Sequence, residues 1–145
     1  MAPPGFGPFG GDLIAPDELS GRVYALSPDG RATLLVRSGL PSGQDIGVES
    51  GGFIPPGFTR SSGAYLSDRR TPGNPHPGTD HVLRLSGETL LAAGARPGDL
   101  LIATEGGART ILVRCAASCR VTVVAHGPAV AHGEGHIVFT TDAGL

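Results

Sequence analysis

Short β-rich runs separated by Gly and Pro are the feature that most constrains this chain. Ten such runs are bounded by Gly, Pro, Asp or Ser, which favours short strands joined by turns. They cover residues 12–15, 22–27, 32–37, 47–54, 64–68, 81–86, 99–104, 110–115, 120–125 and 135–140. One short helix is predicted at 88–94, with Ser86 as its N-cap and Gly94 as its stop. The sequence therefore predicts an all-β protein.

The content of Gly and Pro raises disorder as an alternative. The chain holds 24 glycines and 13 prolines in 145 residues, which is near the level typical of disordered segments. However, 39% of its residues are hydrophobic and its net charge is only −2, so it can bury a core. The sequence Ser27-Pro-Asp-Gly30 is a strong signal for a tight turn between two strands. We therefore expect Gly and Pro to serve turns in a folded domain.

The chain also repeats itself. Pro3-Pro-Gly-Phe6 recurs as Pro55-Pro-Gly-Phe58, and each copy precedes a short loop and a strand. A second pairing aligns the strand-forming segments near residues 11–26 with those near 98–113. Repeats of roughly 40–50 residues with about four strands are typical of β-propeller blades, whereas a β-sandwich does not predict a repeat.

We therefore predict one incomplete β-propeller domain over 1–145, made of meandering antiparallel four-stranded blades. The blade-like repeats lie near 10–46, 47–97 and 98–140. Residues 69–98 fit this division poorly, and they are either an insertion within one long blade or a degenerate blade.

A resemblance to a known family supports this interpretation. The segments Gly10-Gly-Asp-Leu-Ile-Ala-Pro-Asp17, Gly21-Arg-Val-Tyr-Ala-Leu-Ser-Pro-Asp-Gly30 and Ala32-Thr-Leu-Leu-Val36 resemble a blade of six-bladed propellers of the NHL-repeat and gluconolactonase (regucalcin-like) superfamily. Gly47-Val-Glu-Ser50 and His132-Gly-Glu-Gly-His136 resemble the starts of that family's innermost strands. The resemblance covers about two to three blades. It implies that self-association or missing blades complete the ring.

The resemblance also implies a function. In the regucalcin-like group, a Glu at the start of an innermost strand is a ligand of a central divalent metal, and the resemblance implies calcium as the metal in this chain. The implied activity is metal-dependent hydrolysis of a lactone or ester. The alternative is a non-catalytic propeller module that binds a small-molecule ligand or a protein partner through its loop face.

Four residues are the candidate metal ligands. Side chains alternate along a strand, so His132, Glu134 and His136 are expected on one face, and Glu49 points into the same channel. Carboxylates favour calcium or magnesium, and the imidazoles leave room for zinc or manganese. The alternative is structural, with both carboxylates bonded to backbone groups and both histidines at turns.

A long polar loop, Asp68-Arg-Arg-Thr-Pro-Gly-Asn-Pro-His-Pro-Gly-Thr-Asp80, supplies the catalytic candidates. Long loops on rigid β scaffolds often form binding surfaces. The family topology implies that Asp45, His76, Asp80 and His126 lie towards one rim, where a His and an Asp could act as base and orienting group. The alternative is a solvated insertion without a site.

Cys115 and Cys119 flank a tight turn in Arg114-Cys-Ala-Ala-Ser-Cys-Arg120, and a hairpin there would bring them within bridging distance. A disulfide favours an extracytoplasmic or secreted protein, while two free thiols in the cytosol are the alternative. All eleven basic residues are scattered arginines, which predicts no nucleic-acid surface. We expect no membrane span and no signal peptide at the N-terminus.

Overall fold

The computed structural model describes residues 1–43 and 46–141, and the protein is nearly all-β, with 46% strand and 6% helix. A 3-10 turn at Gly7–Phe9 precedes the strands. The elements are β1 (Leu13–Asp17), β2 (Arg22–Leu26), β3 (Ala32–Arg37), β4 (Val48–Phe53), β5 (Gly63–Asp68), β6 (His81–Ser86), α1 (Gly87–Ala92), β7 (Leu100–Thr104), β8 (Arg109–Cys115), β9 (Cys119–His126) and β10 (Gly133–Thr140). Every predicted strand is present with ends displaced by at most about two residues, so the all-β prediction is confirmed.

The strands form three antiparallel sheets. The N-terminal sheet has the order β1-β2-β3, the central sheet β4-β7-β8-β9 and the lateral sheet β10-β5-β6. Most ladders join strands that are neighbours in sequence, but β4 pairs with β7 and β5 pairs with β10. These two ladders cross the boundary between the predicted repeats at 47–97 and 98–140. Over the described residues the sheets do not close into a barrel.

Local signals account for the turns and for the helix. The amide of Gly30 donates to the carbonyl of Ser27 at 2.8 Å, which closes the predicted Pro-Asp turn between β2 and β3. Ser86 caps α1 by accepting from the amide of Thr89 at 3.1 Å. Gly94, with a φ of 90°, ends the helical segment in the left-handed region that favours glycine.

The repeated Pro-Pro-Gly-Phe segment forms a β-turn twice and buries a ring each time. The amide of Phe6 donates to the carbonyl of Pro3 at 2.9 Å, and that of Phe58 donates to the carbonyl of Pro55 at 3.3 Å. Phe6 packs edge-on against Phe53 in one hydrophobic cluster, with ring centroids 5.0 Å apart. Phe58 lies in the other cluster. Each ring removes apolar area worth about 1.5–3 kcal/mol from water, so the repeat anchors both cores.

The turn between β8 and β9 is closed covalently. Cys115 and Cys119 are paired in the ladder and joined by a disulfide, which confirms the predicted bond. Throughout residues 1–43 and 46–141, no helix has the length and apolar character needed to cross a membrane.

Candidate metal centre

Strand ends from the central and lateral sheets meet at one place. Glu105 follows β7, and its amide donates to the carbonyl of Gly47, just before β4, at 2.8 Å. Gly106 forms an isolated antiparallel bridge with His132, just before β10. Gly47 is required here because a Cβ atom at this position would lie 2.1 Å from the carbonyl oxygen of Glu18. The close backbone approach therefore brings Glu18, Glu105 and His132 together.

Three side chains offer ligand atoms to a common point. The ligand atoms of Glu105, His132 and Glu134 all lie within 4.8 Å of one another. The Nε2 atom of His132 is 3.1 Å from Oε1 of Glu105 and 3.3 Å from Oε1 of Glu134. His132 and Glu105 are buried, with exposed side-chain fractions of 2% and 11%. Two carboxylates and one imidazole nitrogen form a donor set that metal sites commonly use.

The imidazole of His132 is held in one orientation. Its Nδ1 lies 2.9 Å from the carbonyl oxygen of His76, which can only accept, so Nδ1 carries a proton. The backbone amide of His132 donates to Oδ1 of Asp68 at 2.8 Å. Nε2 is thereby directed towards the two carboxylates. This arrangement is common in metal sites, where a hydrogen bond to one ring nitrogen orients the other.

Asp68 supports this orientation from the end of β5. It is 2% exposed, and besides the amide of His132 it accepts hydrogen bonds from the amide and the hydroxyl of Thr79. Burial opposes the ionisation of Asp68, but the bonds from Thr79 and His132 outweigh it and lower the pKa of the carboxyl group. Asp68 therefore remains a charged acceptor that positions the histidine backbone.

The pKa of Glu105 is shifted in the opposite direction from that of Asp68. Burial raises the pKa of Glu105 to about 7. The charge of Glu18, a side-chain hydrogen bond to Glu18 and the charge of Glu49 act in the same direction, while His132 opposes them. Its Oε2 atom is buried, and no basic group, amide or hydroxyl of the described residues donates a hydrogen bond to it. A buried carboxylate oxygen without such a donor costs folding free energy unless a proton or a cation occupies the space beside it.

Two more charged groups border the cluster. Desolvation raises the pKa of Glu49, and the charges of Glu134 and Glu18 add to this effect. Arg69 donates through one nitrogen to both oxygens of Glu134, at 3.0 and 3.1 Å, while its side chain remains 63% exposed. The exposed guanidinium can leave Glu134 at little cost, because solvent-exposed ion pairs contribute about 0–1 kcal/mol.

The structure assembles part of the predicted ligand set. His132 and Glu134 belong to the three-residue cluster, and Glu49 borders it. His136 is exposed and lines a cavity of about 410 Å³ together with Glu49. The ladder register shifts between Glu134 and Val138, and this irregularity interrupts the strict alternation on which the prediction for His136 depended.

The predicted catalytic residues of the loop are spread out. His76 and His126 line a small cavity of about 220 Å³, and Nδ1 of His76 lies 2.8 Å from the carbonyl oxygen of Ala129. Asp80 is exposed and has a φ of 64°, in the left-handed region. Asp45 lies outside the described residues. His76 contributes to the cluster of Glu105, His132 and Glu134 through its backbone carbonyl, which orients His132.

Sequence reasoning missed Glu105 and Glu18, although a signal for both exists. The two segments aligned by the second repeat place Glu18 and Glu105 at equivalent positions, each just after the first strand of its copy. The structure then brings these two carboxylates beside each other, where each affects the protonation of the cluster. A repeated acidic residue at a strand end was the available indication.

Comparisons with known proteins add no relative. No protein-family model, no curated protein and no solved structure matches the chain. The resemblance to six-bladed propellers therefore stays a prediction.

Proposed function

We propose that this chain binds a divalent metal ion through Glu105, His132 and Glu134. The observation that carries the proposal is the fixed imidazole of His132, with its Nδ1 bound to the carbonyl of His76 and its Nε2 directed between two carboxylates. An Nε2 atom between two carboxyl groups either shares a proton with one of them or binds a cation. Oε2 of Glu105 is buried and accepts no hydrogen bond from a basic group, amide or hydroxyl of the described residues, and a cation would compensate it in place of the proton that its raised pKa favours.

The local charge balance supports the same conclusion. Four carboxyl groups lie in or beside the cluster, from Glu18, Glu49, Glu105 and Glu134. Glu18 and Glu49 raise the pKa of Glu105, and Glu134 and Glu18 raise the pKa of Glu49. Among the ion pairs of the described residues, His132 faces Glu105 and Glu134, and the exposed Arg69 pairs with Glu134. Closely spaced carboxylates destabilise a fold unless protons or cations neutralise them. A divalent ion offers two positive charges at the point where the donors converge.

The donor atoms of the cluster favour some divalent metals over others. An imidazole nitrogen with carboxylate oxygens suits zinc or manganese, whereas calcium is bound almost entirely by oxygen ligands. We therefore propose zinc or manganese as the bound metal, rather than the calcium that the family resemblance implied. Because three protein ligands leave coordination positions free for water, the site has the composition of a catalytic centre.

Metal-dependent hydrolysis of a small lactone or ester is the second candidate function. It is favoured by the cavity of about 410 Å³ lined by His136 and by Glu49, whose pKa is affected by the charges of Glu134 and His132. A bound divalent ion would polarise a carbonyl group or lower the pKa of a water molecule. The raised pKa of Glu49 suits a group that exchanges protons with a substrate or with water. The non-catalytic alternative is a module whose ion serves stability or ligand binding.

Thermal unfolding with added metals tests the binding proposal. The protein is stripped with chelator and titrated with zinc, manganese, calcium or magnesium. At a hundredfold excess over the dissociation constant, one site raises the free energy of unfolding by about 2.7 kcal/mol. Glu134→Gln should abolish this gain, whereas Glu88→Gln, in the first turn of α1, should retain it as a matched control.

Two results would reject the proposal. One is unchanged stability with all four metals, and the other is an equal gain in Glu134→Gln and Glu88→Gln. Hydrolysis of p-nitrophenyl acetate and δ-valerolactone by the metal-loaded protein tests the second candidate. If the protein binds metal but shows no hydrolysis that depends on Glu49, the hydrolase function is rejected and the non-catalytic binding module remains. The disulfide supports an oxidising, extracytoplasmic location for either function.

A further inference from the structure

A cavity of about 510 Å³ lies at the opposite end of β7 from Glu105, and Asp99 is among its lining residues. It lies between the two Pro-Pro-Gly-Phe turns and the disulfide hairpin, with Pro3, Phe6, Pro55, Pro56 and Cys115 in its walls. Ligand pockets for small molecules commonly measure about 300–1,000 Å³. Both copies of the repeated motif therefore meet at a space of ligand size.

The walls of this cavity are apolar and stiff. The rings of Phe6 and Phe53 meet edge-on there, and four prolines restrict the backbone around the opening. The segment after Ile54 is tied to β7 by the amide of Ile54, which donates to the carbonyl of Asp99 at 2.9 Å. A preformed apolar pocket binds without the entropic cost of ordering its walls.

One positive charge in the lining has no counter-ion. Asp99 is 4% exposed and is neutralised by Arg114, whose Nε and one Nη lie 2.7 and 2.6 Å from its two oxygens. Asp99 also accepts from the amide of Arg96 at 2.8 Å. The exposed guanidinium of Arg96 forms no ion pair with any described residue. The cavity therefore combines an apolar interior with a single uncompensated guanidinium at its rim.

We propose that this cavity binds a small monocarboxylate with an aryl or branched alkyl body. The apolar body fills the space between the two proline turns, and the carboxylate pairs with Arg96. A guanidinium fork matches a carboxylate in planar, bidentate geometry. A dianion is disfavoured, because only one positive charge is uncompensated and the walls are apolar.

Affinities for a matched ligand series test the charge requirement. The probes are 4-phenylbutyrate, the neutral 4-phenylbutyramide and the cationic 4-phenylbutylamine, titrated into the intact protein by NMR. The carboxylate should bind roughly tenfold more tightly than the amide, and the amine more weakly than both. Arg96→Gln should reduce the affinity for the carboxylate to that for the amide. Arg60→Gln, which removes an exposed arginine outside the cavity, should change neither.

Amide chemical shifts locate the binding. The amides of Gly5, Gly98 and Ala116, which line this cavity, should shift with the carboxylate, whereas those of Gly51 and His136 in the other cavity should not. Equal affinity for carboxylate and amide, an unchanged affinity in Arg96→Gln, or shifts centred on Gly51 and His136 would each overturn the proposal. Chelator is present throughout, so that binding at the metal cluster does not contribute.

Discussion

Strand β7 has a buried carboxylate at each end, and the two have opposite surroundings. Asp99, before the strand, is 4% exposed and meets the guanidinium of Arg114 and the amide of Arg96. Glu105, after the strand, is 8% exposed, and its neighbours include the carboxylates of Glu18 and Glu49. One carboxylate is satisfied by the fold, and the other needs a proton or a cation. The difference separates a structural acid from a candidate functional one.

The largest expected effect on stability comes from removing the charge partner of Asp99. Arg114→Ala leaves Asp99 buried without its charge partner, which costs 3–5 kcal/mol for fully buried pairs. Since the Arg114 side chain is 39% exposed, water compensates in part, and we expect a loss of about 2–3 kcal/mol. Chemical denaturation measures it. Arg120→Ala, the cross-strand neighbour in the hairpin, is the control and should cost less than about 0.5 kcal/mol. Equal losses in the two variants would contradict the comparison.

The pH dependence of stability tests the protonation of Glu105, at the other end of β7. Burial raises the pKa of Glu105 to about 7, with Glu18 and Glu49 adding to the shift, His132 opposing it and Glu134 nearby. The folded state thus keeps a proton that the unfolded state releases above its ordinary pKa. The free energy of unfolding should therefore fall by about 1–3 kcal/mol between about pH 4.5 and pH 7. Urea midpoints measured in chelator test this, and a rise over that window would contradict it.

The same chemical change at the two ends should have opposite signs. In metal-free protein at pH 8, Glu105→Gln removes a repelled charge, and we expect a gain in stability of about 1 kcal/mol. Asp99→Asn removes the charge that Arg114 and the Arg96 amide bind, and we expect a loss of similar size. Chemical denaturation of both variants and the wild type gives the sign of each change in the free energy of unfolding. Destabilisation by both would show that Glu105 is also a structural acid.

These two carboxylates also show what the sequence can and cannot predict. The strands, the helix and the disulfide follow from local runs, turns and caps, and the structure has all of them. His132 and Glu134 could be grouped because they are two residues apart on one strand. Glu105 could not be placed by local pattern, because the β4–β7 ladder and the bridge between Gly106 and His132 bring it there.

The smallest expected effect on stability concerns Arg69. Its exposed guanidinium pairs with Glu134, so Arg69→Gln should change the free energy of unfolding by less than about 0.5 kcal/mol. Because the same guanidinium competes with a cation for the Glu134 oxygens, metal affinity should rise roughly threefold or more. Arg70→Gln, the exposed neighbour, should leave the affinity unchanged. Weaker metal binding in Arg69→Gln would contradict a cation at this position.

The pairing of β10 with β5 has a consequence for the order of events during synthesis. His132 and Glu134 belong to the segment that completes the lateral sheet. Strand β5, with which this segment pairs, is synthesised much earlier. The disulfide hairpin needs only neighbouring residues and can close early, whereas contacts between distant segments form slowly. The cluster of Glu105, His132 and Glu134 is therefore complete only when the chain through Glu134 has been synthesised. The proposed cation would therefore bind late in folding, to a lateral sheet that is nearly complete.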